Sequence, residues 1–202
     1  MKFPRRKFLH LAAGAVVLSF VSRVAWAQGV VLYEESPTEP QGKRSVGSAI
    51  WRTETTSRVR GQPPVLAIRA DVEIPERNLA MTWLLYRNID SKVPASHLVE
   101  FRFTLRPDFP RDNISNVPGM LVAASAVGQG EALAGLTVKV TDGYFLLGLD
   151  DAKRERNEQL LLAERAWFAI PVVYSDNHRA ILSIEKGALG ERVFAEAFAA
   201  WR

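Results

Sequence analysis

The sequence predicts a mainly β protein, an antiparallel β-sandwich of about eight or nine strands with two short helices near the C-terminus. Residues 65–74 and 98–106 alternate between apolar and polar side chains, as half-buried strands do. Asp142-Gly143 separates two further apolar runs, which is typical of a tight hairpin. Such alternation favours antiparallel pairing, because parallel sheets are buried on both faces. The alternative is an α+β arrangement, an open antiparallel sheet packed on helices.

The other strands are predicted from short runs of β-branched and aromatic residues between turn signals. In chain order they are residues 30–33, 45–56, 79–86, 136–141, 144–149, 167–174 and 179–185. Residues 119–124 are a candidate for a further short buried strand. The intervening residues 106–118 hold three prolines together with Asp and Asn, a composition that predicts a long loop.

Two helices are expected late in the chain. Residues 150–165 are charged and Leu-rich, with Asp150 or Asp151 as the N-cap. Residues 191–201 form the second helix, because one apolar stripe recurs at helical spacing. That stripe is Phe194, Ala197, Phe198 and Trp201.

Residues 1–27 have the layout of a cleaved signal peptide. The first seven residues hold four cationic side chains and no acid, and an apolar run follows. Ala25 and Ala27 match the pattern that signal peptidase accepts, so cleavage is expected before Gln28. The apolar run falls short of the roughly 20 residues that cross a bilayer, so no membrane span is expected after leader removal. Residues 28–202 are expected to form a single β-rich domain.

The leader resembles the twin-arginine type of export signal. Arg5-Arg6 followed by Phe8-Leu9 carries the resemblance, which implies a periplasmic location. A general secretory leader is the alternative. The leader is also similar to those of solute-binding receptors of tripartite tricarboxylate transporters. That likeness covers the leader alone, so the ligand binding of those two-lobed receptors does not follow from it.

Most of the positive charge lies in the leader. The whole chain carries +4, so removal of five leader cations leaves a nearly neutral domain, which argues against a nucleic-acid partner. Those cations are Lys2, Arg5, Arg6, Lys7 and Arg23. The chain has no cysteine, which excludes thiol chemistry and Cys-ligated metals.

Few residues of the mature part suggest a cofactor or a metal. His97 and His178 are the histidines outside the leader and lack metal-ligand spacing, so structural or surface roles are expected and no cofactor is predicted. None of the serines lies in a nucleophile elbow, Ser48 and Ser183 included. The glycines at Gly128 and Gly130 do not complete a phosphate-binding motif and indicate a turn.

Two further sets of residues are candidates for carbohydrate chemistry. Paired carboxylates on strands could serve a glycan hydrolase, the candidates being Glu54, Glu73, Glu100 and Glu185. Trp51, Trp83 and Trp167 could form a sugar-stacking surface, although core packing is the commoner role of strand tryptophans. Residues 184–191 could begin a helix that binds an anion, but a simple connection from strand to helix is favoured.

The mature part, notably residues 167–174 and 179–187, is similar to uncharacterised bacterial proteins without an assigned activity. The sequence therefore predicts an exported periplasmic binding or interaction module, more in keeping with a non-enzymatic role than with catalysis. Its partner would be an unknown envelope protein or polymer, contacted through one sheet face or through the loop at residues 106–118. A periplasmic glycan hydrolase is the alternative.

Overall fold

A computed structural model describes residues 27–39, 42–57, 62–109, 111, 113–164 and 166–202. The predicted leader lies outside these residues except for Ala27. The export and cleavage predictions for Arg5, Arg6, Phe8, Leu9 and Ala25 therefore remain predictions.

Twelve strands and two helices make up the described chain. The strands are β1 (Gln28–Glu34), β2 (Lys43–Thr56), β3 (Val65–Ile74), β4 (Leu79–Arg87), β5 (Ala95–Leu105), β6 (Ile114–Asn116), β7 (Leu121–Ala123), β8 (Gly130–Ala132), β9 (Gly135–Thr141), β10 (Tyr144–Asp150), β11 (Trp167–Tyr174) and β12 (Arg179–Glu185). The helices are α1 (Arg154–Leu162) and α2 (Gly187–Trp201). Short 3-10 turns lie at Pro75–Arg77 and Asp151–Lys153.

The strands form one antiparallel sheet, curled into a half-barrel. Its order is β8-β7-β11-β12-β1-β2-β3-β4-β5-β10-β9, and β6 pairs with β11 beside β7. The central part is a meander in which β1 to β5 pair in chain order. The hairpin predicted at Asp142-Gly143 joins β9 and β10, with Gly143 at a φ of 68°.

The mainly β, antiparallel prediction is confirmed, but the number of strands is wrong. A sandwich of eight or nine strands was expected, whereas the described chain has twelve strands in a single curled sheet. Alternation reveals that each strand has one buried face, but it does not reveal whether those faces belong to two stacked sheets or to one that curls. The unexpected strands β6 and β8 span three residues each, too few for a period of two to be recognised.

Aromatic side chains fill the concave face of the sheet. Trp51 and Trp83 meet edge to face with ring centroids 5.2 Å apart, and Phe168 stacks on Phe194 of α2 at 5.3 Å. The predicted apolar stripe of α2 is buried against the sheet. Helix α2 therefore supplies the second layer of the core. At the C-terminal end of α2, Trp201 donates a hydrogen bond from Nε1 to the Leu66 carbonyl at 3.0 Å, which holds the helix end against β3.

Both predicted helices are present with shifted boundaries. The first is interrupted, because the 3-10 turn Asp151–Lys153 precedes α1 and Asp150 caps that turn through the Ala152 N–H at 2.9 Å. The second begins at Gly187, four residues before the predicted start at residue 191. No helix in the described part of the chain combines the length and apolar character needed to cross a membrane.

Candidate functional site

A groove opens on the convex face at one end of the sheet, over β1, β11 and β12. Its volume is 720 Å³, within the range usual for ligand pockets. We call it the outer groove and define it by its apolar floor and its charged rim. The floor is Tyr33, Pro118, Pro171, Val173 and Ile181, and the rim is Glu35, Glu39 and Arg179.

Beside the groove the ladder on one edge of β11 is interrupted, where residues 117–120 connect β6 to β7. Strand β7 pairs with residues 167–169 and β6 with residues 173–174, and no described strand pairs between them. Pro171 occupies this gap. A proline has no N–H to leave unpaired there, so it suits a break in the ladder.

The floor is apolar and open to solvent. Along β12, Leu182 and Ile184 face the core, so Ile181 faces outward, where it is 45% exposed. Tyr33 of β1 lies directly opposite Ile181 in the register of the two strands. An isoleucine and a tyrosine side by side on an outer sheet face form a surface that gains free energy when a partner covers it.

Two exposed carboxylates give the rim its character. Glu35 accepts a hydrogen bond from the backbone N–H of Arg179 at 3.1 Å, which ties the β1–β2 connection to the start of β12. Glu39 lies further along the same connection. The rim thus favours a ligand that carries positive charge next to an apolar part.

A buried charge cluster supports the groove from beneath. Glu34 is 3% exposed and binds Arg77 through Nε at 2.6 Å and through a second nitrogen at 2.7 Å. The Tyr174 hydroxyl also donates to Glu34 at 3.0 Å, and the Arg111 guanidinium lies over the Tyr174 ring. Burial, followed by the charge of Glu34, raises the pKa of Tyr174, so the phenol stays protonated as a donor.

This cluster anchors the loop that the sequence predicted at residues 106–118. Arg111 of that loop forms an ion pair with Asp176, and Phe109 packs on the Tyr174 ring at 5.8 Å. Because the loop is held at both residues and β6 within it pairs with β11, Pro118 has a fixed place in the floor of the outer groove.

The four candidate glutamates lie on the convex face of the sheet, and none of them lines the outer groove. Glu54 pairs with Arg69 at 3.2 Å. Glu100 is buried and accepts hydrogen bonds from Tyr86 and Arg102, each at 2.9 Å.

The strand register separates the other two glutamates. Glu185 accepts from the Gly29 N–H at 3.0 Å, and three strand spacings, about 14 Å, lie between it and Glu73. Glu54 and Glu73 are about 20 Å apart along the β2–β3 pair. A glycosidase pair needs its carboxylates within roughly 10 Å.

The three candidate tryptophans do not form one surface. Trp51 and Trp83 are buried in the core, as favoured from the sequence. The Trp51 Nε1 donates to the Glu185 carbonyl at 2.9 Å, which satisfies its polar atom. Trp167 is half-buried on the opposite face, so the sugar-stacking interpretation is wrong.

The remaining candidates have structural surroundings. Ser183 is buried and donates to the Ala126 carbonyl at 2.9 Å, and Ser48 is exposed on β2. Gly130 begins β8, and Gly128 accompanies it in a turn before that strand. His178 lies beside Asp176 in a surface turn. Among the described residues no group of three or more His, Asp or Glu side chains could hold a metal ion.

Residues 184–191 connect a strand to a helix. Lys186 between them is buried, and its ammonium donates to the Leu161 and Ala163 carbonyls at 3.0 and 2.8 Å. These oxygens belong to the end of α1, where orphan carbonyls need a donor. Burial lowers the pKa of Lys186 to about 8.

Sequence reasoning missed most of the outer groove. Its floor joins residues from β1, β11, β12 and the loop, which are distant in the chain. One local signal was available: residues 180–182 of β12 are apolar on both faces, so an outward apolar side chain was visible at Ile181.

Comparisons with models of known families, with curated proteins and with solved structures give no match. The chain is thus defined by its curled antiparallel sheet and its outer groove.

Proposed function

We propose that this chain is an exported, non-enzymatic binding module that holds an extended, basic and apolar segment of an envelope protein in the outer groove. The observation that carries the proposal is an exposed apolar floor beside two rim carboxylates. Tyr33 and Ile181 offer area to apolar side chains, and Glu35 and Glu39 offer ion pairs to basic ones. The groove volume of 720 Å³ is large enough to take the side chains of a short extended segment.

Binding to synthetic peptides tests the ligand chemistry. We expect Leu-Lys-Val-Lys-Leu to bind in isothermal titration calorimetry and Leu-Glu-Val-Glu-Leu to bind at least tenfold more weakly. Changing Glu35 and Glu39 together to glutamine should remove most of this preference, because the rim then has no negative charge to pair with lysine. Equal binding of the two peptides, or none of either, would contradict the proposal.

A substitution on the floor of the outer groove tests where the peptide binds. Ile181→Asp should abolish binding of the lysine peptide. Ile50→Asp is the matched control, since Ile50 is an exposed isoleucine of β2 outside the groove. If both variants bind as the unmodified protein does, the ligand lies elsewhere.

The periplasmic location is part of the proposal and rests on the leader sequence. We expect the exported protein to begin at Gln28. Export should be lost when Arg5 and Arg6 are both changed to lysine, because the twin-arginine route reads the arginine pair. N-terminal sequencing of the periplasmic fraction measures both outcomes. Unchanged export of the double variant would favour the general secretory alternative.

The glycan hydrolase suggested as the alternative is not proposed. It requires two carboxylates that face each other in a cleft with aromatic walls. The separations and contacts of Glu54, Glu73, Glu100 and Glu185 give no support for such a pair.

A further inference from the structure

A second concavity lies at the end of the sheet opposite the outer groove. It has a volume of 300 Å³ and lies between the end of β4, the start of β5, the start of α1 and the end of α2. We call it the His97 pocket. Its charged side chains are Arg87, Arg154 and Arg202, against Glu158 in the lining and Asp151, which pairs with Arg154 beside it. The pocket therefore presents a surplus of positive charge to a small solute.

His97 forms an interior wall of this pocket. The residue is 3% exposed, and its ring lies 5.7 Å from the Phe198 ring and 5.3 Å from the Trp201 ring. Both aromatic residues also line the pocket. The imidazole is thus held in one position at the base of a cationic opening.

The hydrogen bonds of His97 define its tautomer. Its Nδ1 lies 3.2 Å from the Ser96 hydroxyl, whose single proton has the Leu149 carbonyl at 3.3 Å as its other acceptor. We assign the proton to the carbonyl, because a carbonyl oxygen can only accept and both contacts are then hydrogen bonds. The hydroxyl can therefore only accept from His97, so Nδ1 carries the proton of the neutral ring. Nε2 then has a lone pair that can accept a proton.

The charges around His97 keep the ring neutral while the pocket is empty. Burial, then Arg154 and Arg87, lower its pKa to about 4, while Asp151 acts in the opposite direction. Arg202 and Glu158 complete the charged side chains that line the pocket. An anion placed among the arginines would offset their charge and favour the imidazolium.

The arginines have donors left for such an anion. Arg87 donates through one nitrogen to the Trp201 carbonyl at the end of α2. Arg154 pairs with Asp151 through Nε at 3.0 Å and through a second nitrogen. A guanidinium has five N–H groups, so each of the two can bind an oxyanion and keep its present partner.

We propose that the His97 pocket binds a small tetrahedral oxyanion between Arg87, Arg154 and Arg202, and that His97 takes up a proton at Nε2 when the anion binds. The site is independent of the outer groove, which lies at the other end of the sheet. The aromatic walls of Phe198 and Trp201 also leave room for a small organic group attached to the anion.

Sulfate is the probe for the proton uptake, because it remains a dianion from about pH 8 to about pH 5, the interval in which a histidine can change its charge. We expect sulfate to bind the full-length chain at least fivefold more tightly at the lower pH. The Hε1 resonance of His97 should move toward the position of an imidazolium as sulfate is added. Binding that does not vary with pH, or a His97 resonance that does not move, overturns the proton uptake.

Variants of two exposed arginines and of the buried His97 test the pocket. Arg154→Gln should weaken sulfate binding at least fivefold, whereas Arg192→Gln, an exposed arginine of α2 outside the pocket, should leave it unchanged. His97→Gln should remove the pH dependence and keep the weaker binding seen at high pH. If Arg154→Gln and Arg192→Gln have equal effects, the anion is not held in this pocket.

Phenyl phosphate compared with inorganic phosphate tests the aromatic walls. Tighter binding of the ester, lost in Trp201→Leu, would identify a phosphate monoester as the ligand class. Equal binding of the two would restrict the site to the free oxyanion.

Discussion

The Lys186 ammonium donates a hydrogen bond to the Ala163 carbonyl at 2.8 Å, and this contact joins the start of α2 to the end of α1 inside the protein. A second bond of 3.0 Å reaches the Leu161 carbonyl, and the Phe194 ring lies 4.9 Å from the same nitrogen. One buried cation therefore satisfies two orphan carbonyls of a helix end.

Replacing this lysine with an apolar residue should destabilise the protein. We expect Lys186→Met to lower the free energy of unfolding by about 1–3 kcal/mol at neutral pH, because two carbonyls lose their donor. Urea titration measures this change in the free energy of unfolding. Lys153→Met, at an exposed lysine of the 3-10 turn, is the control and should change little.

The difference in stability between the unmodified protein and Lys186→Met should depend on pH. The pKa of Lys186 is about 8 in the folded protein and 10.5 in the reference state. Between these values the unfolded chain binds more protons, so the native protein gains stability as the pH rises. The advantage of the unmodified protein over Lys186→Met should widen across that interval. An advantage that stays constant would contradict the lowered pKa.

Removing the charge of Glu34 should be costly. Glu34→Gln leaves the Arg77 guanidinium, whose side chain is 12% exposed, without its carboxylate. We expect a loss of about 3 kcal/mol, as for other buried pairs from which one partner is removed. Glu54→Gln is the matched control, since the Glu54–Arg69 pair is more than a quarter exposed and should contribute less than about 1 kcal/mol. Chemical denaturation of both variants makes the comparison.

His97 should make the protein sensitive to mild acid. Its pKa is lowered from 6.5 to about 4 in the folded protein. In that interval the unfolded chain binds the additional proton, so stability is lost as the pH falls. We expect the melting temperature of the unmodified protein to fall as the pH is lowered through this interval. The melting temperature of His97→Gln should fall less, because the variant lacks this titrating group. His178→Gln, at the surface turn, should retain it.

Gly187 should not tolerate a side chain. It has a φ of +56°, and an added Cβ would lie 1.6 Å from the Gln28 Oε1. Gly187→Ala should therefore destabilise the protein by about 1–3 kcal/mol. At Gly119 an added Cβ would meet nothing within 4 Å, so Gly119→Ala is a neutral control. Equal melting temperatures of the two variants would contradict both the strain at this positive φ and the clash with Gln28.

The sequence predicted those parts of the fold that depend on local patterns. Strand β3 and the β9–β10 hairpin were predictable because alternation and an Asp-Gly turn are visible within about ten residues. The single curled sheet was not, since it depends on β12 pairing with β1 across most of the chain and on β11 pairing with the distant β7. Contacts of that range leave no periodic signal in a single sequence.

The candidate sites were harder to predict than the fold. Glutamates on strands suggested catalysis by their identity, but their partners, such as Arg69 for Glu54, decide what they do. His97 was assigned a structural or surface role because no second histidine stands near it in the sequence. Its place in a cationic pocket comes from α2, which brings Trp201 back to the start of β5.

The two outermost strands of the sheet are also neighbours in the chain. Strand β8 ends at Ala132 and β9 begins at Gly135, so at this corner the two margins of the half-barrel lie within about 11 Å of each other. Two residues of α1 contact this connection. Arg156 pairs with Glu131, and the Asn157 side chain accepts a hydrogen bond from the Ala134 N–H. Residues 133 and 134 thus join the two margins directly, and the chain itself limits how far apart these margins can lie at this corner.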